Sequence, residues 1–185
     1  MRVAFVIFER MTALDFVGVY DPVTRLATML FRPDLSWDIC ALAKNVSDAN
    51  GLKFSATRVA KPLDAYDLVI VPGGYGTREL MTDEKFIAWL RTAENCELKA
   101  SVCTGALLFG AAGFLKGKRA ATHPTSRAEL EKFCAVSEER VVDEGDVVTA
   151  GGVTAAIDLG LHLCGRLAGV EAREKIRQQM DYHFG

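Results

Sequence analysis

The chain has no stretch long and apolar enough to cross a bilayer, and its first residues, Met1-Arg2-Val3-Ala4-Phe5-Val6-Ile7-Phe8, are too short for a signal-peptide core. It also lacks a positive excess: 22 Lys and Arg stand against 24 Asp and Glu, a net charge of -2. That balance argues against nucleic acid as an electrostatically driven partner. The cysteines number five and none falls in a C-x-x-C pair, so neither a disulfide framework nor a zinc site is indicated. Internal repeats, low-complexity segments and linkers are missing as well. What these absences leave is a cytoplasmic globular protein with reduced thiols and no membrane association.

What is present is ordinary globular composition, 50% hydrophobic and 25% charged, in 185 residues. That length suits a single domain, residues 1–185, with a sizeable core. Short β-rich runs alternate with helical patterns. Val3–Phe8, Trp37–Ala43, Leu52–Thr57, Asp67–Val71, Leu98–Val102 and Arg119–Thr122 read as strands, and Arg140–Asp143 with Asp146–Thr149 as a hairpin around Glu144-Gly145. Helical spacing covers Asp15–Leu30, Asp83–Leu90, Pro124–Phe133, Val153–Leu167 and Glu171–Tyr182. Pro22 is expected early in the first helix or at a kink, and Thr82 or Asp83 caps the second. Buried strands alternating with helices predict an α/β fold with a doubly wound, mostly parallel sheet. Ligands in such folds sit at the carboxyl ends of the strands.

The most telling segment is Ala100-Ser101-Val102-Cys103-Thr104-Gly105-Ala106, where an apolar run enters a cysteine and a second apolar run follows. A strand turning abruptly into a helix at Cys103 explains these residue types, with Ser101 and Gly105 small enough for strand and helix to cross closely. A sulfur at a helix N-terminus gains from unpaired N–H groups and the helix dipole, which favour the thiolate. Cys40, Cys134 and Cys164 sit among apolar neighbours and read as small core residues, and Cys96 as a turn residue.

A cysteine nucleophile needs a proton partner and donors for developing charge. Gly73 and Gly74, after the Asp67–Val71 strand, either present backbone N–H groups to a substrate or simply form a tight turn. The N–H groups of Cys103 and Thr104 are further candidate donors. Asp15, an acid among apolar residues, either caps the helix after it or acts as a general acid/base with a raised pKa. His123 follows a strand and could face the same edge, or be structural. Asp158 reads as structural and, if buried, should have a hydrogen-bond partner.

These segments resemble the ThiJ/PfpI superfamily over nearly the whole chain. The matching runs are Val69-Ile70-Val71-Pro72-Gly73-Gly74, Ser101-Val102-Cys103-Thr104-Gly105-Ala106, Gly117-Lys118-Arg119-Ala120-Ala121-Thr122-His123 and Gly151-Gly152-Val153-Thr154-Ala155-Ala156-Ile157-Asp158. The resemblance implies a flavodoxin-like three-layer sandwich and a homodimer, with Val19 and Val23 of the first helix as suspects for the contact. Within the superfamily, Leu14-Asp15, the Cys-Thr-Gly elbow and the late Gly-Gly-x-Thr-Ala run are most similar to isocyanide hydratases. That similarity implies a small-molecule electrophile, attacked by Cys103 at an isocyanide carbon to give a thioimidate. Asp15 would shuttle protons and position water, Thr104 would hydrogen-bond near sulfur or acid, and Gly73, Gly74 and His123 would line the substrate site. The product would be an N-substituted formamide, formed without metal or organic cofactor. The sequence departs from that branch at Val17-Gly18-Val19-Tyr20 and at Pro124, changes that bear on pocket shape.

Rival readings share the same cysteine. The glyoxalase/deglycase branch typically pairs it with Glu, where this chain has Asp15. An amidotransferase would carry a late His-x-Glu, absent at His162 and His183, and the peptidase branch a His at the position of Thr104. A redox sensor would use an accessible low-pKa Cys103 whose sulfinate a protonated Asp15 stabilises. The ligand-sensing half of a transcriptional regulator is also similar, but such chains continue into a helix-turn-helix half and this sequence ends at Gly185.

Overall fold

The computed structural model describes residues 1–183. Strands β1 (Arg2–Val6), β2 (Ser36–Ala41), β3 (Asn45–Ser47), β4 (Lys53–Ser55), β5 (Arg58–Val59), β6 (Leu68–Val71), β7 (Leu98–Val102), β8 (Arg119–Ala120), β9 (Ala135–Val136), β10 (Val141–Asp143) and β11 (Val147–Ala150) are joined by helices. These are α1 (Ala13–Thr28), α2 (Thr77–Leu80), α3 (Glu84–Arg91), α4 (Gly105–Ala112), α5 (Arg127–Leu130) and α6 (Ala155–Gln179). Seven strands form the central sheet in the order β10-β11-β7-β6-β1-β2-β5. All its pairings are parallel except β10 with β11. The fold is therefore the α/β, mostly parallel arrangement expected, with its flavodoxin-like layering.

The layering follows from chain direction. From β1 the chain crosses through α1 to β2 on one side, and from β6 through α3 to β7 on the other. Right-handed crossovers in opposite directions place their helices on opposite faces. Accordingly α1 packs on α6, while α2 and α3 pack against α4. The strand order reverses between β1 and β6, and the loops after β1, β6 and β7 meet at that switch point.

Local chemistry accounts for the elements. Leu68–Val71 is apolar throughout and wholly buried, as a central parallel strand must be. Asp83 caps α3, its carboxylate accepting from the N–H groups of Lys85 (2.9 Å) and Phe86 (3.1 Å). Within β7, Lys99 is buried with its ammonium on the Cys96 carbonyl at 2.8 Å and 5.4 Å from the Phe114 ring centre.

Several expectations are corrected. Pro22 lies in the interior of α1, not early in it. Its ring packs on α6, where a Cβ on Gly160 would come within 2.3 Å of it, and its carbonyl accepts from the Cys164 thiol at 3.2 Å. Val19 and Val23 are fully buried, because α6 covers the face of α1 they occupy, so they form no dimer surface. The exposed large apolar residues of α1 are Leu14 and Val17. Leu52–Thr57 contributes a strand, Lys53–Ser55, but as half of an antiparallel hairpin with Asn45–Ser47. Pro124–Phe133 splits into a 3₁₀ turn (Pro124–Ser126) and the single turn of α5. The two C-terminal helices join as α6, with a non-helical break at Gly169 (φ 88°, ψ 169°). Cys134 is half-buried, whereas Cys40, Cys96 and Cys164 are buried.

Candidate active site

Cys103 sits where β7 ends and the chain turns into α4, with φ at 55°. A left-handed backbone at a residue with a Cβ is strained and persists only where neighbours fix it. Here the Cys103 N–H donates to the carbonyls of Ala150 (3.0 Å) and Gly151 (2.9 Å), and its own carbonyl accepts from Thr122 Oγ1 at 2.9 Å. The Cys103 N–H is thus committed to β11 and is not a donor toward a ligand, contrary to the sequence expectation.

Asp15, in the first turn of α1, is fully buried. Its Oδ2 accepts the Gly73 N–H at 3.0 Å, while Oδ1 is buried without a geometrically satisfactory hydrogen bond. The Cys103 thiol lies beside this carboxyl and interacts with it. Burial pushes the carboxyl up to about 7, opposed by the Gly73 N–H and by Cys103. The thiol is pushed up to about 12, first by burial and then by the Asp15 charge, with the Thr104 N–H opposing both. Burial and the neighbouring carboxylate thus act against the thiolate that an N-terminal helix position favours. The dipole of the two-turn helix α4 is outweighed by desolvation at a residue only 6% exposed and by a buried carboxylate next to it.

The glycines place the partners. Gly73 N–H is taken by Asp15, and Gly74 N–H donates to Thr104 Oγ1 at 2.9 Å. Neither is a free oxyanion donor, as the sequence had suggested; both align the side chains around the sulfur. A Cβ on Gly73 would meet Thr104 N at 2.6 Å and Cys103 Cβ at 2.8 Å, so only glycine lets the two loops close this tightly. The Thr104 hydroxyl proton has the Gly74 carbonyl (3.2 Å) and the Cys103 sulfur as acceptors.

A cavity of about 570 Å³ opens over the sulfur, lined by Cys103, Thr104, Gly74 and His123. His123 Nδ1 faces the Thr125 N–H at 3.3 Å and Thr125 Oγ1 at 2.8 Å. Gly152 lies against both His123 and the sulfur: a Cβ there would come 2.4 Å from His123 Cδ2 and 3.1 Å from Sγ. The structure thus brings Cys103, Asp15, Thr104, Gly73, Gly74 and His123 together. Asp158 lies apart, accepting from the Tyr182 hydroxyl at 2.8 Å and paired with Arg140.

Sequence reasoning missed the remainder of the lining: Arg10, Thr12, Tyr75, Arg78, Glu79, Thr125, Ser126 and Val153. Arg10 and Tyr75 stand in the loops after β1 and β6, so the rule that ligands bind beyond strand carboxyl ends could have flagged them. Among the described residues no group of three or more His, Cys, Asp or Glu is arranged to hold a metal ion, and no helix is long and apolar enough to cross a membrane.

The chain has relatives in sequence and in fold. Isonitrile hydratase from Pseudomonas putida is 35% identical over 185 residues, covering 98% of this chain and 78% of that protein. A ThiJ/PfpI family protein from Pseudomonas syringae superposes with a TM-score of 0.88 at 28% identity, over 100% of this chain and 76% of the other. Oxidized DJ-1 from Toxoplasma gondii superposes with a TM-score of 0.81 at 21% identity over 99% of each chain, a likeness of fold. The DJ-1/PfpI family model matches residues 1–165, and with an elbow cysteine, a buried acid and a Gly-Gly turn gathered at the sheet's switch point, the chain belongs to the DJ-1/PfpI family.

Proposed function

We propose that the protein hydrates an isocyanide to an N-substituted formamide through a covalent intermediate on Cys103. The observation that carries this reading is the buried carboxyl–thiol pair, in which Asp15 is held by the Gly73 N–H and pushed up to about 7 beside the sulfur. A carboxyl poised there can take a proton and return it near neutral pH. Moving the thiol proton onto Asp15 also removes the charge that pushes the thiol up, so one negative charge is present before and after the transfer.

In the first step the sulfur attacks the terminal isocyanide carbon, a C–S bond forms, and the proton on Asp15 passes to that carbon, giving a thioimidate. Asp15 then takes a proton from water as the hydroxyl adds to the same carbon, and passes it to the nitrogen. On collapse the hydroxyl proton travels through Asp15 to the sulfur as the C–S bond breaks and the C=O bond forms, releasing the formamide. No acyl oxyanion forms in the first step, consistent with a site whose Gly73 and Gly74 N–H groups are spent on Asp15 and Thr104. The Thr104 N–H and hydroxyl, which both favour the charged sulfur, would stabilise it as it leaves. The isonitrile hydratase from Pseudomonas putida supports the reaction class. The low exposure of Cys103 counts against peroxide sensing as its main role. The five unpaired cysteines suit a cytoplasmic setting, and exposed Leu14 and Val17 on α1 offer a surface for a second copy.

The test is formamide production from a simple alkyl isocyanide, wild type beside Cys103→Ala. Turnover that disappears in the variant supports the reading. Turnover retained in Cys103→Ala, or absent from reduced wild type, refutes it.

A further inference from the structure

We propose that Arg10 is a substrate-binding residue, and that the cavity takes an electrophile carrying a carboxylate: on the hydratase reading, an isocyano carboxylate. Among the described residues five that are not glycine have positive φ, Arg10 with 61° being one, and of those five only Arg10 and Cys103 line the cavity. The left-handed turn is enforced, since the Arg10 N–H donates to the Ser47 carbonyl at 2.8 Å and its carbonyl accepts from the Gly76 N–H at 3.2 Å. Strain held in place by surrounding structure concentrates at binding sites.

The two cavity arginines differ in what they have left to offer. Arg78 is committed, with Nε and Nη2 on Glu129 at 3.2 and 2.8 Å and Nη2 also on Ser126 Oγ at 2.7 Å. Arg10 uses only Nη1, on Glu79; its Nε and Nη2 make no hydrogen bond among the described residues. An unused edge of a guanidinium fork is a bidentate site for a planar anion. Glu79 also lines the cavity, so a protein carboxylate already rests on the group a ligand carboxylate would use. With Arg10 54% and Glu79 71% exposed, their pair is solvent-screened and readily exchanged. The match is a singly charged carboxylate like the one displaced. A phosphate dianion would meet Glu79 with more charge than one arginine offsets.

The proposal rests on the hydratase reading only for the reacting group, and the experiment separates the two. Formamide formation is measured from isocyanoacetate and from its methyl ester, and the ratio of kcat/KM values, anion over ester, is compared across variants. Arg10→Gln should lower that ratio on the order of 10- to 100-fold, the range for losing a charged hydrogen bond. Glu79→Gln should raise it, because it frees Arg10 from its competitor. A second arm needs no turnover. Alkylation of Cys103 by iodoacetate against iodoacetamide, read as mass added to the Cys103 peptide, should shift with the same two signs. A shifting alkylation ratio without isocyanide turnover leaves the anion site standing and removes the hydratase reading. Ratios that stay flat in both variants overturn the role of Arg10, whether or not isocyanides are turned over. Should Arg10→Gln fail to fold, the sign of the Glu79→Gln effect decides alone.

Discussion

Replacing Asp15 by Asn tests the central electrostatic claim without reference to any substrate. The carboxyl is wholly buried, and its pKa rises from 3.8 to about 7. Between those values the folded chain keeps a proton on Asp15 that the unfolded chain releases. Stability therefore falls as pH rises through this window: the raised group contributes fully below 3.8 and its contribution is lost on approaching 7. A rise of that size corresponds to about 4 kcal/mol. Asparagine mimics the neutral acid, can still accept the Gly73 N–H, and does not titrate. Urea unfolding of wild type and Asp15→Asn at pH 4 and pH 8 should show the variant gaining on wild type with rising pH, by up to about 4 kcal/mol. The thiol of Cys103 should titrate lower in the variant, since the neighbouring negative charge is gone. Formamide production should drop by about 10²- to 10⁴-fold, the usual contribution of a general acid/base. A stability difference that does not change with pH would refute the assignment of a raised pKa to Asp15.

Two more substitutions probe the parts around the pair. Thr104→Val removes the oxygen that accepts the Gly74 N–H and leaves that buried donor unpaired, so a loss of about 1–3 kcal/mol is expected in urea unfolding, with lower turnover. Gly152→Ala places a methyl against His123 and the sulfur; kcat/KM should fall sharply while circular dichroism stays native, and unchanged kinetics would mean that the close fit of Gly152 against this pair does not matter for turnover.

The sequence carried the architecture because its signals are local. An unbroken apolar run such as Leu68–Val71 can only be satisfied in a strand buried on both faces, and Asp83 ahead of an amphipathic segment marks a helix start wherever it lies. The elbow was legible for the same reason: a reactive residue between an apolar strand and small residues of an apolar helix is a pattern of neighbours. Cys103, Thr104, Gly73 and Gly74 could be chosen from their segments alone. What was not legible depends on residues far apart in the chain. Whether Val19 and Val23 are covered depends on α6 packing on α1, and Pro22 is accommodated because Gly160 leaves room for its ring. The direction of the Cys103 shift is set by burial and by Asp15, which overrule the helix terminus that sequence made visible. Sequence left Gly73 and Gly74 as either oxyanion donors or a tight turn; only the fold shows their N–H groups hydrogen-bonded to Asp15 and Thr104. Sequence by itself thus determined the main strands, the elbow and the cysteine at it. Tertiary structure alone decided the electrostatic surroundings of that cysteine and the arginine at the cavity, because desolvation and charge act between groups that only folding brings together.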